Sequence, residues 1–169
     1  KASEYLKSQK EKERLLGKYE TLKAEMFLAD KKKEQKARKA VGDISFSLPL
    51  KNFAGIKHKK KGVTFRYRGK RPVLSTAAGT VAYRGKLSNY GNVVMIDHGH
   101  DTRTILLGKF LPDVQKGVKV AKGDILGHTQ GKGNPAPGEL YFEVRKHNEA
   151  QNTILLLDRD KLLARVSTQ

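Results

Sequence analysis

The chain has 169 residues, no cysteine and a formal net charge of +18. That length holds one domain with an appendage, and 37% hydrophobic content with 16 glycines builds one modest core. Disulfides, thiolate metal sites and cysteine nucleophiles are excluded, and no apolar run is long enough to cross a bilayer as a helix. No signal peptide stands at Lys1, where a charged stretch opens abruptly, so the expectation is a piece of a longer protein. The first forty residues hold 13 Lys/Arg against 7 Asp/Glu, and the remainder 22 against 10, so no single tail carries the charge. It suits a polyanionic partner (nucleic acid, anionic lipid or a wall polymer), or it serves solubility.

Residues 1–42 read as a helical, coiled-coil-like segment with its linker, and 43–169 as a second unit. The first forty residues lack proline and carry one glycine, Gly17. Tyr5, Leu15, Tyr19, Leu22, Met26 and Ala29 recur at three- and four-residue steps, a heptad seam that Ser8 and Lys12 interrupt. Helical throughout, this segment would span about 60 Å. Tyr19 to Ala29 is the part best able to dock, through Tyr19, Leu22, Met26 and Phe27. Lys31 to Lys39 is a solvated charged stretch, and Val41-Gly42-Asp43 marks the boundary.

From Ile44 the period changes to two. Short runs at Ser45–Leu50, Gly62–Arg68, Gly79–Tyr83, Asn92–Asp97, Arg103–Leu107, Ile125–His128 and Glu139–Val144 are each bounded by Gly, Pro, Asn or Asp. This predicts a mainly β, mostly antiparallel domain behind a long N-terminal helix, with two short strands in Gly117–Gly127 and a closing helix within Ile154–Val166. The last strand is the anchor of the reading. Leu140, Phe142 and Val144 take one face, and Glu139, Tyr141 and Glu143 the other. The Gly/Pro-rich loop Gly131–Gly138 precedes it and can bring a partner close.

The order of blocks is more specific than any one of them. Leu48-Pro-Leu50, Gly62-Val-Thr-Phe65, Pro72–Gly85, Asn89–Gly99, Gly117–Gly127 and Gly138–Arg145 follow one another in a succession that resembles the LytM, or lysostaphin-type, metallopeptidase family over about 45–158. The resemblance implies zinc held by a His and an Asp four residues apart and by the second His of a terminal His-Leu-His pair. The pair's first His and a mid-domain His assist. Three N/O ligands with an open position let zinc acidify a water. On this chain the ligand positions fall at Lys60, Thr64 and Tyr141, and the assisting positions at Gly108 and Glu139. All five have changed, so the expectation is a pseudoenzyme without metal or cofactor. A rebuilt zinc endopeptidase with substitute ligands is the competing reading. His58 stands two residues before Lys60 on the same strand parity. His98 and His100, in Asp97-His-Gly-His-Asp101, read as turn and surface groups, and His128 and His147 have no partner at useful spacing.

No phosphate loop and no Gly-x-Ser-x-Gly elbow is present. Glu139 and Glu143 are more simply strand alternation than a glycosidase pair. Glu139-Leu-Tyr-Phe-Glu-Val-Arg145 is similar to the degenerate, EnvC-like subgroup of division-associated amidase activators. This resemblance implies a former active-site groove that binds a zinc-dependent N-acetylmuramoyl-L-alanine amidase in the periplasm or another extracytoplasmic compartment. It also implies a coiled coil joined to an FtsEX-like ABC-transporter complex, and a helix that covers the groove until released. The groove expected here is lined by Lys60, Thr64, Arg66, Tyr90, Glu139, Tyr141 and Glu143. A scaffold binding peptidoglycan or anionic polymer is the alternative. Nucleic acid is disfavoured, because there is no recognition helix and only 7% aromatic residues.

Overall fold

The structure, a computed structural model, describes residues 2–28, 31–130 and 137–162, without the side chains of residues 2, 26–28 and 59. The proline-free start forms helix α1 (Ala2–Leu28), about 40 Å long, followed by α2 (Lys31–Ala40). A turn with Gly42 and Asp43 at positive φ ends α2. The chain then enters two antiparallel sheets. The larger contains β1 (Gly55–Lys59), β2 (Gly62–Tyr67), β4 (Gly79–Leu87), β5 (Gly91–Asp97), β6 (Thr102–Gly108), β8 (Lys119–Val120), β10 (Gly138–Lys146) and β11 (Glu149–Ala150). Its order is β1-β2-β10-β6-β5-β4-β8, with β11 paired to β10. The smaller sheet is β3 (Pro72–Leu74), β9 (Ile125–Thr129) and β7 (Phe110–Pro112), in the order β3-β9-β7.

One face of the large sheet makes the core. Val63 and Phe65 of β2, Val94 and Ile96 of β5, Leu106 of β6, and Leu140, Phe142 and Val144 of β10 are all buried there. Phe110, Leu126 and Val73 join from the small sheet, and Phe46, Leu50 and Phe53 from the stretch before β1. Full burial of each such side chain contributes roughly 1.5–3 kcal/mol. Val41 and Ala24 belong to the same core, so the helical segment packs into the domain. Glu34 of α2 holds this junction, taking Arg159 at 2.7 Å and Arg38 at 3.1 Å.

Three local expectations are corrected. Ser45–Leu50 forms no strand, only a parallel bridge from Phe46 to Leu157. Pro49 has no N–H to continue a ladder, and its carbonyl instead accepts from Leu74 at 2.8 Å. The closing segment is not helical from Ile154. A 3-10 turn at Thr153–Leu155 and the buried run Ile154–Leu157 come first, and a helical turn starts only at residue 159. The rest of that expected helix lies outside the described residues. Strands β1, β3, β7 and β11 lie outside the predicted runs. Lysines mask the alternation of β1, while β3 and β7 each have only three residues.

Candidate functional site

The face of the large sheet opposite the core is open, and strand register fixes what lies on it. Antiparallel partners point to the same side, so Thr64, Tyr141, Leu107 and Val93 form one row across β2, β10, β6 and β5. Glu143, Ile105, Met95 and Tyr83 form the next, reaching β4. Arg66 opposes Glu139 at the other side of the first row. The open face is therefore apolar over β4–β6 and polar over β2 and β10. The sequence reading found the polar half. The apolar half was legible as alternation in Arg103–Leu107 and Asn92–Asp97 but was not assigned to the groove.

Tyr141 is the centre of the polar half. Its hydroxyl donates to Glu143 at 2.6 Å, and Arg145 Nε donates to the other oxygen of Glu143 at 2.6 Å. Burial first, then the hydrogen bond and charge of Glu143, push the Tyr141 phenol well above its ordinary value, so it stays a neutral donor. The ring lies over Gly62, where any Cβ would collide with it. Gly62 is required here by that close approach.

The zinc that the resemblance implies does not fit these residues. Tyr141 commits its proton to Glu143, Thr64 offers a neutral hydroxyl, and Lys60 stands at positive φ in the two-residue turn between β1 and β2. Among the described residues no three His, Cys, Asp or Glu side chains gather to hold a metal ion. Gly108, where the resemblance puts the mid-domain His, pairs with Leu140 and Asn92 in the ladder and offers no side chain.

Of the residues expected to line the groove, the structure brings together Thr64, Arg66, Glu139, Tyr141 and Glu143 on β2 and β10. Lys60 is exposed at the hairpin tip. Tyr90 is not part of this cluster: it lies in the 3-10 turn Ser88–Tyr90 between β4 and β5 and is 68% exposed. His58 is half-buried at the edge strand beside Lys57, and burial holds its pKa below the ordinary imidazole value. His98 corrects the surface reading. It donates from Nδ1 to the Ala78 carbonyl at 2.7 Å and accepts at Nε2 from the Thr104 hydroxyl at 2.8 Å. Its ring meets Phe46 edge-on, and burial lowers its pKa.

Helix α1 packs on β1 and reaches the polar half of this face. Glu20 accepts from Arg66 at 2.8 Å and Glu13 from Arg68 at 3.2 Å. Ala24, one turn beyond Glu20, is fully buried. The docked face is thus Glu13, Glu20 and Ala24. The expected docking residues behave otherwise: Tyr19 and Leu22 are 59% and 57% exposed, and the side chains of Met26 and Phe27 lie outside the described residues. A helix presents its residues at three- and four-step spacing, and here the small and acidic stripe, rather than the apolar seam, matches the sheet.

A large antiparallel sheet in this strand order, with a three-stranded sheet beside it, is the fold of the LytM-type metallopeptidases. The chain belongs to peptidase family M23, whose model matches residues 58–153. An uncharacterized protein of Neisseria meningitidis, NMB1333, is 38% identical over 82 residues, covering 47% of this chain and 13% of its own. The cell division protein DipM of Caulobacter vibrioides is 30% identical over 105 residues, covering 62% of this chain and 17% of its own. The chain therefore spans less than a fifth of either relative. Helicobacter pylori Csd3 has the same fold, with a TM-score of 0.55 at 20% identity, covering 74% of this chain and 41% of that one.

Proposed function

We propose that this protein is a non-catalytic activator of a peptidoglycan amidase, acting in the cell envelope during cell separation. The single observation that carries the reading is Tyr141. At the position where the family holds zinc, a phenol lies on Gly62 and donates to a buried carboxylate, while the open face around it is kept. A concave surface that has lost its metal ligands still offers shape, apolar contact and fixed charges to a partner. The similarity to a cell division protein supports the setting. The partner is a zinc-dependent N-acetylmuramoyl-L-alanine amidase, and α1 restrains access to the β2–β10 half of the face until a membrane complex of the FtsEX type draws it away.

The test is dye release from labelled sacculi by an added amidase. Wild-type protein raises the rate, whereas Tyr141→Ala and Glu139→Lys abolish the increase at a temperature well below each variant's own thermal midpoint. Undiminished activation by both variants would sink the assignment. The net charge of +18 favours a second reading, direct binding to an anionic wall polymer. That reading requires pelleting with sacculi without any amidase, weakening as salt screens the charge.

A further inference from the structure

The contact that holds α1 is incomplete, and the missing half describes a better occupant. Glu20 is 8% exposed and gives one oxygen to Arg66, but its other oxygen, Oε2, is buried without a hydrogen-bond partner among the described residues. Burial, reinforced by the charge of Glu139, raises the Glu20 pKa against the opposing pull of Arg66 and Lys57. Arg66 and Glu139 are direct cross-strand neighbours on the open face, yet Arg66 turns to the helix, and no hydrogen bond reaches the Glu139 carboxylate from the described residues. Glu139 is exposed and lines a cavity of about 320 Å³ with Arg66 and Arg68 of the sheet and Leu16 and Glu13 of α1. Both guanidiniums are engaged by helix carboxylates, Arg66 by Glu20 and Arg68 by Glu13, and among the described residues α1 itself brings no cation to this cavity.

The spacing is what makes this specific. Side chains directly opposed across two strands stand about 5 Å apart at Cβ. Helix positions three or four apart stand about 5–6 Å apart. A helix can therefore satisfy Arg66 and Glu139 together with an acid and a base one turn apart. α1 has the acid, Glu20, but Leu16 occupies the position four residues earlier.

We propose that the partner docks on the Arg66–Glu139 pair through a helix carrying a carboxylate for Arg66 and, one turn before it, a lysine or arginine for Glu139. α1 holds the site with the first half of that set and yields it to a segment with both. This rests on the reading of the open face as a partner-binding surface and names the chemistry of the segment that binds.

The experiment uses the full chain and amide exchange of α1. Leu16→Lys supplies the missing cation at a half-exposed position where lysine is as good a helix former as leucine. It slows α1 exchange about two- to fivefold, the scale of an exposed ion pair. With Glu139→Gln present, the same substitution gives no further slowing. A second arm adds labelled peptides of residues 2–28 to a full chain carrying Glu20→Lys. The peptide with Leu16→Lys binds about two- to fivefold tighter than the natural sequence, and the difference vanishes on Glu139→Gln. Unchanged exchange, equal slowing in both backgrounds, or equal binding by both peptides overturns the proposal. Neither arm contains an amidase. Charge pairing without amidase activation removes the function proposed above and leaves this inference standing. Activation without charge pairing does the reverse.

Discussion

Tyr141 and His98 show how single side chains carry the arrangement. Tyr141→Phe removes one donor from Glu143, a carboxylate 8% exposed that keeps Arg145 among the described residues. The expected loss is about 1–2 kcal/mol, read as a lower denaturant midpoint at unchanged slope. His98 is held neutral by burial between Ala78, Thr104 and Phe46. Its pKa is lower folded than unfolded, so below about pH 6.5 the unfolded chain binds the extra proton. The contribution is whole above that pH and is lost as pH falls toward the folded value. His58, depressed by burial in the same direction, adds to the slope. Thermal midpoints from pH 7.5 to 5 test this: His98→Gln flattens the fall, and an unchanged curve refutes the assignment. The alternation Glu139-Leu-Tyr-Phe-Glu-Val-Arg145 made the faces of Tyr141 and Glu143 legible, because strand period two needs no tertiary information. His98 was misjudged because neither Ala78 nor Phe46 is its neighbour in sequence.

At the scale of elements, helix α1 sets two faces against each other. Its Glu13–Glu20–Ala24 stripe meets the sheet, and Leu15, Tyr19 and Leu22 face solvent. Ala24→Leu inserts three carbons where the helix lies closest and costs about 1–3 kcal/mol of docking. Leu22→Ala, at an exposed site, changes stability by no more than about 0.5 kcal/mol. Amide exchange of α1 separates them: Ala24→Leu exposes the helix and Leu22→Ala does not. The reverse pattern would return docking to the apolar seam. Helix formation by this stretch was legible from its lack of proline and its seam, but the docking face was not. Amphipathic patterning marks a stripe that seeks an apolar partner, and the surface α1 meets displays Arg66 and Arg68 instead. The strands at Gly55–Lys59 and Phe110–Pro112 escaped notice for a related reason, since pairing with longer neighbours supplies the order that local sequence lacks.

For the whole molecule, family membership rests on blocks spread along the chain, and the M23 match over residues 58–153 bears that reading out. Zinc titrated into the purified protein is expected to bind without stoichiometric saturation. One tightly held ion per chain would overturn the donor-set argument at Thr64 and Tyr141. The sequence by itself determined the mainly β architecture and the N-terminal helix, because periodicity is a local property. Only the tertiary structure decided that the Tyr141 phenol lies on Gly62, that Arg66 reaches Glu20 across 46 positions of chain, and that Glu139 shares a cavity with Leu16 of α1. Those outcomes depend on strand register and on which face of a helix comes to rest. Register and docking are settled by long-range burial, which couples residues that no sequence window contains together.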